Sequence, residues 1–307
     1  MPKFSIVIPC FNAAHTLPET LDGLRAQTCP SWEAICVDDG STDLTCEIIR
    51  DAAARDPRIK LAFNVSKGPS TARNLGAKVL ASGDIIAFCD ADDVWSPTKL
   101  AELDVAFADP EVDGAYGQIA FFTKNPHEAS VFSTVPRTDL SIPMLLGENP
   151  VCTMSNMAVR RMTFIASQGF KKDIIHNEDL EWLIRLVGAG ARVIGIDKCQ
   201  TYYRASAHGL SADLSSMAQS REIALQSAAY FGFAPTPWAN AIHLRYLARR
   251  ALRLGHGRAD ALKFALQGLW ASPSGFFSSP KRGFLTIAGA IVSLVLPGRL
   301  NQFIFSR

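Results

Sequence analysis

The chain has 307 residues with 48% apolar content, enough for one large domain, or one domain plus a smaller appendage, around a real core. Its seven cysteines (Cys10, Cys29, Cys36, Cys46, Cys89, Cys152 and Cys199) are odd in number and form no CxxC pair. They read as reduced, buried thiols of a cytosolic protein and exclude a disulfide framework. The net charge of +2 hides a split: ten of the 31 basic residues but only one of the 29 acidic ones fall in residues 240–307. That gives the tail a net +9 against −7 for the rest, and implies an anionic partner for the tail.

The first apolar run, "FSIVIP" (4–9), is too short for a signal peptide and contains a proline. It predicts a strand, as do "EAICVDD" (33–39), "IKLAFN" (59–64), "DIIAFCD" (84–90) and "GAYGQIAFF" (114–122). Helical spacing predicts helices over Leu17–Ala26, Asp43–Arg55, Ser70–Ala81 and Thr98–Ala108. Ser41 to Asp43 are placed to cap the second, and Pro97 to occupy the first turn of the fourth. Strand–helix alternation implies an α/β fold with a mostly parallel sheet and helices on both faces. Further on, Asp179–Ala189 predicts an amphipathic helix, "RVIGID" and "TYYRAS" two strands, and residues 211–270 mainly helix.

In such a sheet ligands bind beyond the carboxyl ends of the strands, and here those ends carry Pro9-Cys10-Phe11-Asn12, Asp38-Asp39-Gly40-Ser41, and Asp90-Ala91-Asp92-Asp93. Crowded carboxylates suit a hard divalent cation, which takes one or two of them plus substrate phosphate oxygens. Arg73, on the helix after Gly68, is placed to contact carboxylates or a diphosphate from the same rim. Each motif alone also fits an acidic turn, a helix cap or a surface arginine.

Together, "IVIPCFNAAHTLPETLDGLRAQT", "VDDGSTD", "KGPSTARNLGA" and "IIAFCDADDVWSPTKL", in this order and spacing, resemble a family 2 glycosyltransferase with the GT-A fold, over roughly residues 3–210. The resemblance implies an inverting transferase that moves a sugar from a nucleotide-diphosphate donor to a hydroxyl acceptor with Mn2+ or Mg2+. It implies that Pro9, Phe11 and Asn12 line the nucleotide pocket, that Asp39, with Asp38 nearby, contacts the base, and that Arg73 steadies the diphosphate region. Asp90 reaches the donor ribose or sugar, Asp92 ligates the metal, and Asp93 stands behind it. "HNEDLEW" (176–182) resembles the family's Glu-Asp motif, which makes Asp179 the catalytic base, with Glu178 beside it and Trp182 lining the acceptor site. Arg204, on the acceptor side, and His208, a further candidate metal ligand, sit in the strand and loop that follow. The Gln-x-x-Arg-Trp signature of processive synthases is absent, since Gln200 is followed by "TYYRAS", which argues for one or few sugars per acceptor. Lys171 and Lys172 replace acidic residues common in the family and suit an anionic acceptor, such as a lipid-linked saccharide.

These features divide the chain into a catalytic domain, 1–210 (a nucleotide-sugar half, 1–122, and an acceptor half, 123–210), and a basic helical extension, 211–307. In the extension, Arg245, Arg249 and Arg253 recur every four residues among leucines, and "FLTIAGAIVSLVLP" (284–297) follows Lys281 and Arg282. Its roughly fourteen uncharged residues fall short of the roughly 20 that span a bilayer. The pattern predicts amphipathic helices on an anionic membrane surface, and so a cytoplasmic enzyme peripheral on the inner face of the cell membrane. A helical cap on the catalytic domain or a dimer interface would share it. No nucleic-acid partner is expected, because the basic residues are interleaved with leucine and alanine. The role expected is building a surface polysaccharide or other glycoconjugate. Two other readings are a nucleotidyltransferase, which would need a glycine-rich phosphate loop that "PCFNAAHT" lacks, and a nucleotide-sugar-binding scaffold that has lost catalysis.

Overall fold

The structure is a computed structural model that describes residues 2–174, 176–205, 214–254, 257–297, 300 and 304. In chain order the first elements are β1 (Phe4–Cys10), α1 (Leu17–Arg25), β2 (Trp32–Asp38), α2 (Thr45–Arg55), β3 (Ile59–Phe63), α3 (Pro69–Asn74), β4 (Ile85–Phe88), β5 (Val94–Trp95) and α4 (Lys99–Ala106). Then come β6 (Gly114–Phe122), β7 (Val131–Phe132), α5 (Ile142–Gly147), β8 (Met157–Arg160), α6 (Arg161–Ala166), α7 (Glu178–Gly188) and β9 (Val193–Arg204). The last are α8 (Leu214–Tyr230), α9 (Pro237–Leu254), α10 (Arg258–Ala271), α11 (Pro273–Phe276) and α12 (Pro280–Val295). The chain forms two compact units, residues 1–140 with 150–206, and residues 141–149 with 207–307.

The first unit is built on one sheet, in the order β3-β2-β1-β4-β8-β6-β9-β5, with β7 on β6. The run β3-β2-β1-β4 is parallel, as the strand–helix alternation demands. Beyond it β8 and β5 pair antiparallel with their neighbours, while β6 and β9 run parallel. β1 and β2 are buried along nearly their whole length, as strands covered on both faces are. The two strands predicted at 192–206 are one: β9 runs from Val193 to Arg204, and register shifts against β6 near Gln118 absorb the polar "DKCQ" stretch.

Strand order reverses between β1 and β4, the place where such a sheet opens a crevice. Pairing of β1 with β4 ends at Val7 and Phe88, where Cys89 N donates to Val7 O at 3.1 Å. Pro9 follows, where its missing N–H costs no bond to β4. α3 continues as a π-helical stretch over Leu75–Leu80, a widened turn often found at functional sites. Gly76 lets it lie close on β1: a Cβ there would meet Val7 Cγ1 at 2.4 Å.

The second unit is helical. Small residues pack its core: Ala241, Ala248 and Ala251 of α9, Ala261 and Ala265 of α10, and Ala290 of α12, around Phe276. The arginine stripe expected on a surface is partly folded inward. Arg245 is 3% exposed and donates to Phe276 O at 2.7 Å and Ser278 Oγ at 3.0 Å. Its Nη2 stands 3.8 Å from Glu148, which also faces Arg282 at 3.7 Å. Burial, then the charges of Arg253 and Arg282, push Arg249 down to about 10. Among the described residues, no helix is long and apolar enough to cross a membrane.

Candidate active site

The loop after β1 and the turn after β2 are zipped together. Asn12 N donates to Ser41 Oγ at 3.0 Å, Ala13 N to Thr45 Oγ1 at 2.8 Å, and Ala14 N to Asp43 Oδ2 at 3.1 Å. In return Asn12 Oδ1 accepts Thr42 N at 2.8 Å. Asn12 adopts φ +47°, which asparagine tolerates better than most residues. Asp43 also accepts Thr45 N at 3.0 Å, but α2 begins one residue late for the expected cap: Leu44 holds that position without a side-chain bond. The fourth helix likewise starts after Thr98, so Pro97 lies just outside it.

Asp38 is buried and spends its carboxylate on the turn, accepting Gly40 N at 3.0 Å and Ser41 N at 3.2 Å. Asp39 accepts Asn64 Nδ2 at 2.6 Å and Gly68 N at 2.8 Å. Gly68 has φ +108°, so its N–H reaches Asp39 through a backbone shape that favours glycine. Phe11 stays 58% exposed at this rim, a free aromatic face beside two fixed carboxylates.

Across the crevice, Asp90 is held on three sides. Its N donates to Ser155 Oγ at 2.7 Å, its Oδ2 accepts Thr153 Oγ1 at 3.1 Å, and its Oδ1 pairs with Arg73 Nη2 at 2.6 Å. Arg73 is buried, and its Nη1 pairs with Glu178 Oε1 at 3.0 Å. Its Nε is buried without a partner, and its guanidinium lies 5.8 Å from the Phe170 ring centre. Despite burial, the charges of Asp90 and Glu178 raise its pKa further.

Glu178 and Asp179 open α7, after Asn177 in the left-handed region at φ +57°. The helix dipole favours acids there, yet burial, then Asp179, pushes Glu178 up to about 7 against the pull of Arg73. Burial also raises Asp179, with the Leu180 N–H and Arg73 opposing it. Trp182, expected on the acceptor side, is 0% exposed: its indole N–H donates to Ser167 Oγ at 2.9 Å, and its ring packs among Phe88, Phe164 and Phe170. It supports α7 from beneath.

Arg204 wraps the Asp92–Asp93 turn. Its N donates to Asp93 Oδ1 at 2.9 Å, its Nε to Asp92 O at 2.9 Å, its Nη2 pairs with Glu19, and its guanidinium sits 4.5 Å from the Phe122 ring centre. Asp93 is buried, with Oδ2 unpartnered. Burial, then the charge of Asp90, pushes Asp92 up to about 6. Among the described residues no group of three or more His, Cys, Asp or Glu is placed to hold an ion; His208 lies outside them. Asp92 is a half-buried carboxylate that the charge of Arg204 only partly offsets, a donor that suits Mg2+ or Mn2+, which draw their remaining oxygens from phosphates and water.

Several residues here carry no sequence signal. Ser155 O takes three donors, Trp95 Nε1 at 2.9 Å, Lys99 Nζ at 2.7 Å and Thr201 Oγ1 at 3.2 Å, and so anchors the hydroxyl that holds Asp90. Burial pushes Lys99 down to about 7. Asn74 bonds both N and O of Phe170, at 3.0 and 2.7 Å, tying α3 to the approach to α7. Lys171 pairs with buried Glu181 at 2.8 Å, a carboxylate it shares with Arg185, while Lys172 is exposed.

The sequence pattern of glycosyl transferase family 2 matches residues 5–166. The chain is 30% identical over 218 residues to the UDP-Glc:alpha-D-GlcNAc-diphosphoundecaprenol beta-1,3-glucosyltransferase WfaP of Escherichia coli, covering 69% of this chain and 81% of that one. It is 30% identical over 193 residues to the uncharacterized glycosyltransferase YibD of Escherichia coli, covering 59% of this chain and 55% of the relative. The match thus spans about half the length of YibD, as it does of two further curated relatives, at 51% and 56%. In fold it is similar to the mannosyltransferase PcManGT from Pyrobaculum calidifontis, solved with GDP-Man and Mn2+: TM-score 0.60, 22% identity, 99% of this chain and 84% of that one. The α/β architecture is the GT-A fold.

Proposed function

The chain belongs to glycosyl transferase family 2, and from that premise we propose that it is an inverting, metal-dependent and non-processive glycosyltransferase. The donor is a nucleotide-diphosphate sugar and the acceptor a hydroxyl of a lipid-linked saccharide, as the name of WfaP describes for that protein. The role is building a surface polysaccharide or related glycoconjugate at the cytoplasmic face of the membrane. The observation that carries the reading is the Arg73 bridge, which joins Asp90 at the donor rim to Glu178 beside Asp179 in one buried ionic network.

In this reading Pro9, Phe11 and Asn12 wall the nucleotide, with Phe11 offering its open face to the base. Asp39, prefixed by Asn64 and Gly68, meets the base from the other side, with Asp38 shaping the turn. Asp90 meets the ribose or sugar hydroxyls. Asp92 is the carboxylate that would hold the divalent cation, and Arg204 positions that turn. Bound there, the cation would offset the charge that develops on the departing diphosphate. Asp179 accepts the proton of the acceptor hydroxyl as its oxygen attacks the anomeric carbon from the face opposite the leaving group. Its raised pKa makes it a stronger base than a free aspartate.

Thermal unfolding with UDP, GDP, dTDP and CMP, each with and without Mn2+, tests the reading. A ligand that binds the folded state alone raises its stability with concentration. A metal-dependent rise for one diphosphate, lost in Asp92→Asn, is expected. No rise with any nucleotide in a folded protein would instead favour the scaffold that has lost its chemistry.

A further inference from the structure

α12 is built inside out. At about 100° per residue, Gly283, Thr286, Gly289, Ala290 and Ser293 fall on one side, and all five are buried. The opposite side carries Phe284, Leu285, Ala288, Ile291, Val292 and Val295, all exposed, with Phe284 at 63% and Val295 at 82%. A helix packed on a water-facing protein does the reverse, burying large apolar side chains and showing polar ones. Here the small residues allow close approach: a Cβ on Gly283 would meet Phe277 Cδ1 at 2.5 Å. α10 follows the same rule, with Ala261, Ala265 and Gly268 buried while Leu266 and Trp270 point out, the latter 93% exposed.

Two occupants compete for the α12 face. A second copy would bring together two basic segments, net +9 over residues 240–307 in sequence. Arg245 is folded inward and it and Arg282 face Glu148, but Lys263 and Lys281 stay exposed, and like charges across a two-fold interface repel. An anionic lipid surface attracts the same charge. Lys281 falls within the outward arc, and Lys263 stands one turn from Leu266 and Gln267 and two from Trp270, where long stems can lie along apolar surface with the ammonium in water. The 16 residues of α12 are about 24 Å long, short of the roughly 30 Å hydrocarbon layer. The geometry therefore points to a helix lying in the plane of the membrane.

We propose that the outward face of α12 (Phe284, Leu285, Ala288, Ile291, Val292 and Val295) docks into the interface of an anionic bilayer. The lipid contact stands independently of the chemistry assigned above; only its purpose, keeping the enzyme beside a lipid-linked acceptor, rests on that reading.

The full chain is to be sedimented with phosphatidylcholine vesicles and with vesicles of phosphatidylcholine plus phosphatidylglycerol, beside Ile291→Glu and Val295→Glu. Val105→Glu, at a 77% exposed position of α4, controls for added charge. Wild type and Val105→Glu are expected to bind the anionic vesicles, weakening with salt, while both α12 variants lose binding and keep the wild-type unfolding temperature. Ile291→Ser and Val295→Ser repeat the test without charge should the Glu variants misfold. Binding retained in the α12 variants, or absent in wild type, overturns the proposal. So does a wild-type dimer, seen by light scattering, that the variants dissolve, because the face then belongs to a second copy. Nucleotide binding measured on the same samples separates the two ideas: vesicle binding without any nucleotide response leaves the docking face standing and removes the transferase chemistry.

Discussion

Arg73 Nη1 lies 3.0 Å from Glu178 Oε1, although 105 residues separate them in the chain. The same guanidinium holds Asp90 at 2.6 Å. A buried arginine shared by two carboxylates is costly to break, because removing it leaves both acids without their compensating charge. It also couples the two ends of the crevice: whatever draws on Asp90 changes what Arg73 offers Glu178.

That coupling predicts a pH effect. Glu178 sits at about 7, with Arg73 pulling it down against burial and Asp179, and Arg73 opposes the rise at Asp179 too. Replacing Arg73 with methionine removes a positive charge, so both acids move up. If Asp179 must be ionised to take a proton, the acid limb of kcat/KM moves to higher pH in Arg73→Met, and less in Arg73→Lys. The pair titrates together, so the shift belongs to both groups. A pH–rate profile measures it, and an acid limb that stays in place would mean that neither acid limits the rate.

Asp179→Asn removes the proposed base while keeping size and shape. Loss of general-base assistance costs about 10²–10⁴ in rate, and it should fall on kcat with the donor KM and the nucleotide-induced thermal shift unchanged. Full transfer activity in this variant would hand the base role to another group, such as Glu178, its neighbour in the chain.

Glu33 predicts how stability depends on acid. It is 3% exposed on β2, and accepts Ser5 Oγ at 2.6 Å, Ser82 N at 2.8 Å, Ser82 Oγ at 2.7 Å and Lys60 Nζ at 2.6 Å. Burial would raise its pKa, but these bonds together outweigh it and hold Glu33 at about 2. A depressed folded pKa contributes stability that is complete above the unfolded value near 4.5 and is lost as pH falls toward 2. Glu33→Gln should cost about 1–3 kcal/mol at neutral pH, and the gap from wild type should close between pH 4.5 and 2. Urea midpoints across that range read it directly; a gap independent of pH would assign the loss to shape.

The parallel half of the sheet and the chemistry on its rim were legible because both are local. Apolar runs alternated with helix spacing, and two of them, ending at Asp38-Asp39 and at Asp90, led straight into carboxylates. What crossed the fold was not. Nothing in "TMSN" marks Ser155 as the anchor of Asp90, since its three donors come from two distant segments, Trp95 and Lys99 in one and Thr201 in the other. "DKCQ" read as a break because Asp197 and Lys198 face solvent, while the backbone ladder continues through a bulge. The sequence showed residues 284–297 only as a short uncharged run after Lys281 and Arg282; which side of α12 faces the core was not legible, and its small side does.

Trp182 is the residue whose place differs most from its expected role, and substitution separates the two. Helical spacing allows it either on the rim or beneath it; the structure puts it beneath, at 0% exposure, with rings of Phe170 and Phe164 at 5.0 and 5.4 Å. Trp182→Ala then opens a cavity in the aromatic cluster and should cost about 3–5 kcal/mol. Trp182→Phe keeps most of the packing, loses the bond to Ser167 Oγ, and should cost less. Assayed well below its unfolding temperature, Trp182→Phe should keep the wild-type acceptor KM, because the ring touches no solvent and so no acceptor. A variant with unchanged stability and a raised acceptor KM would return Trp182 to the acceptor site.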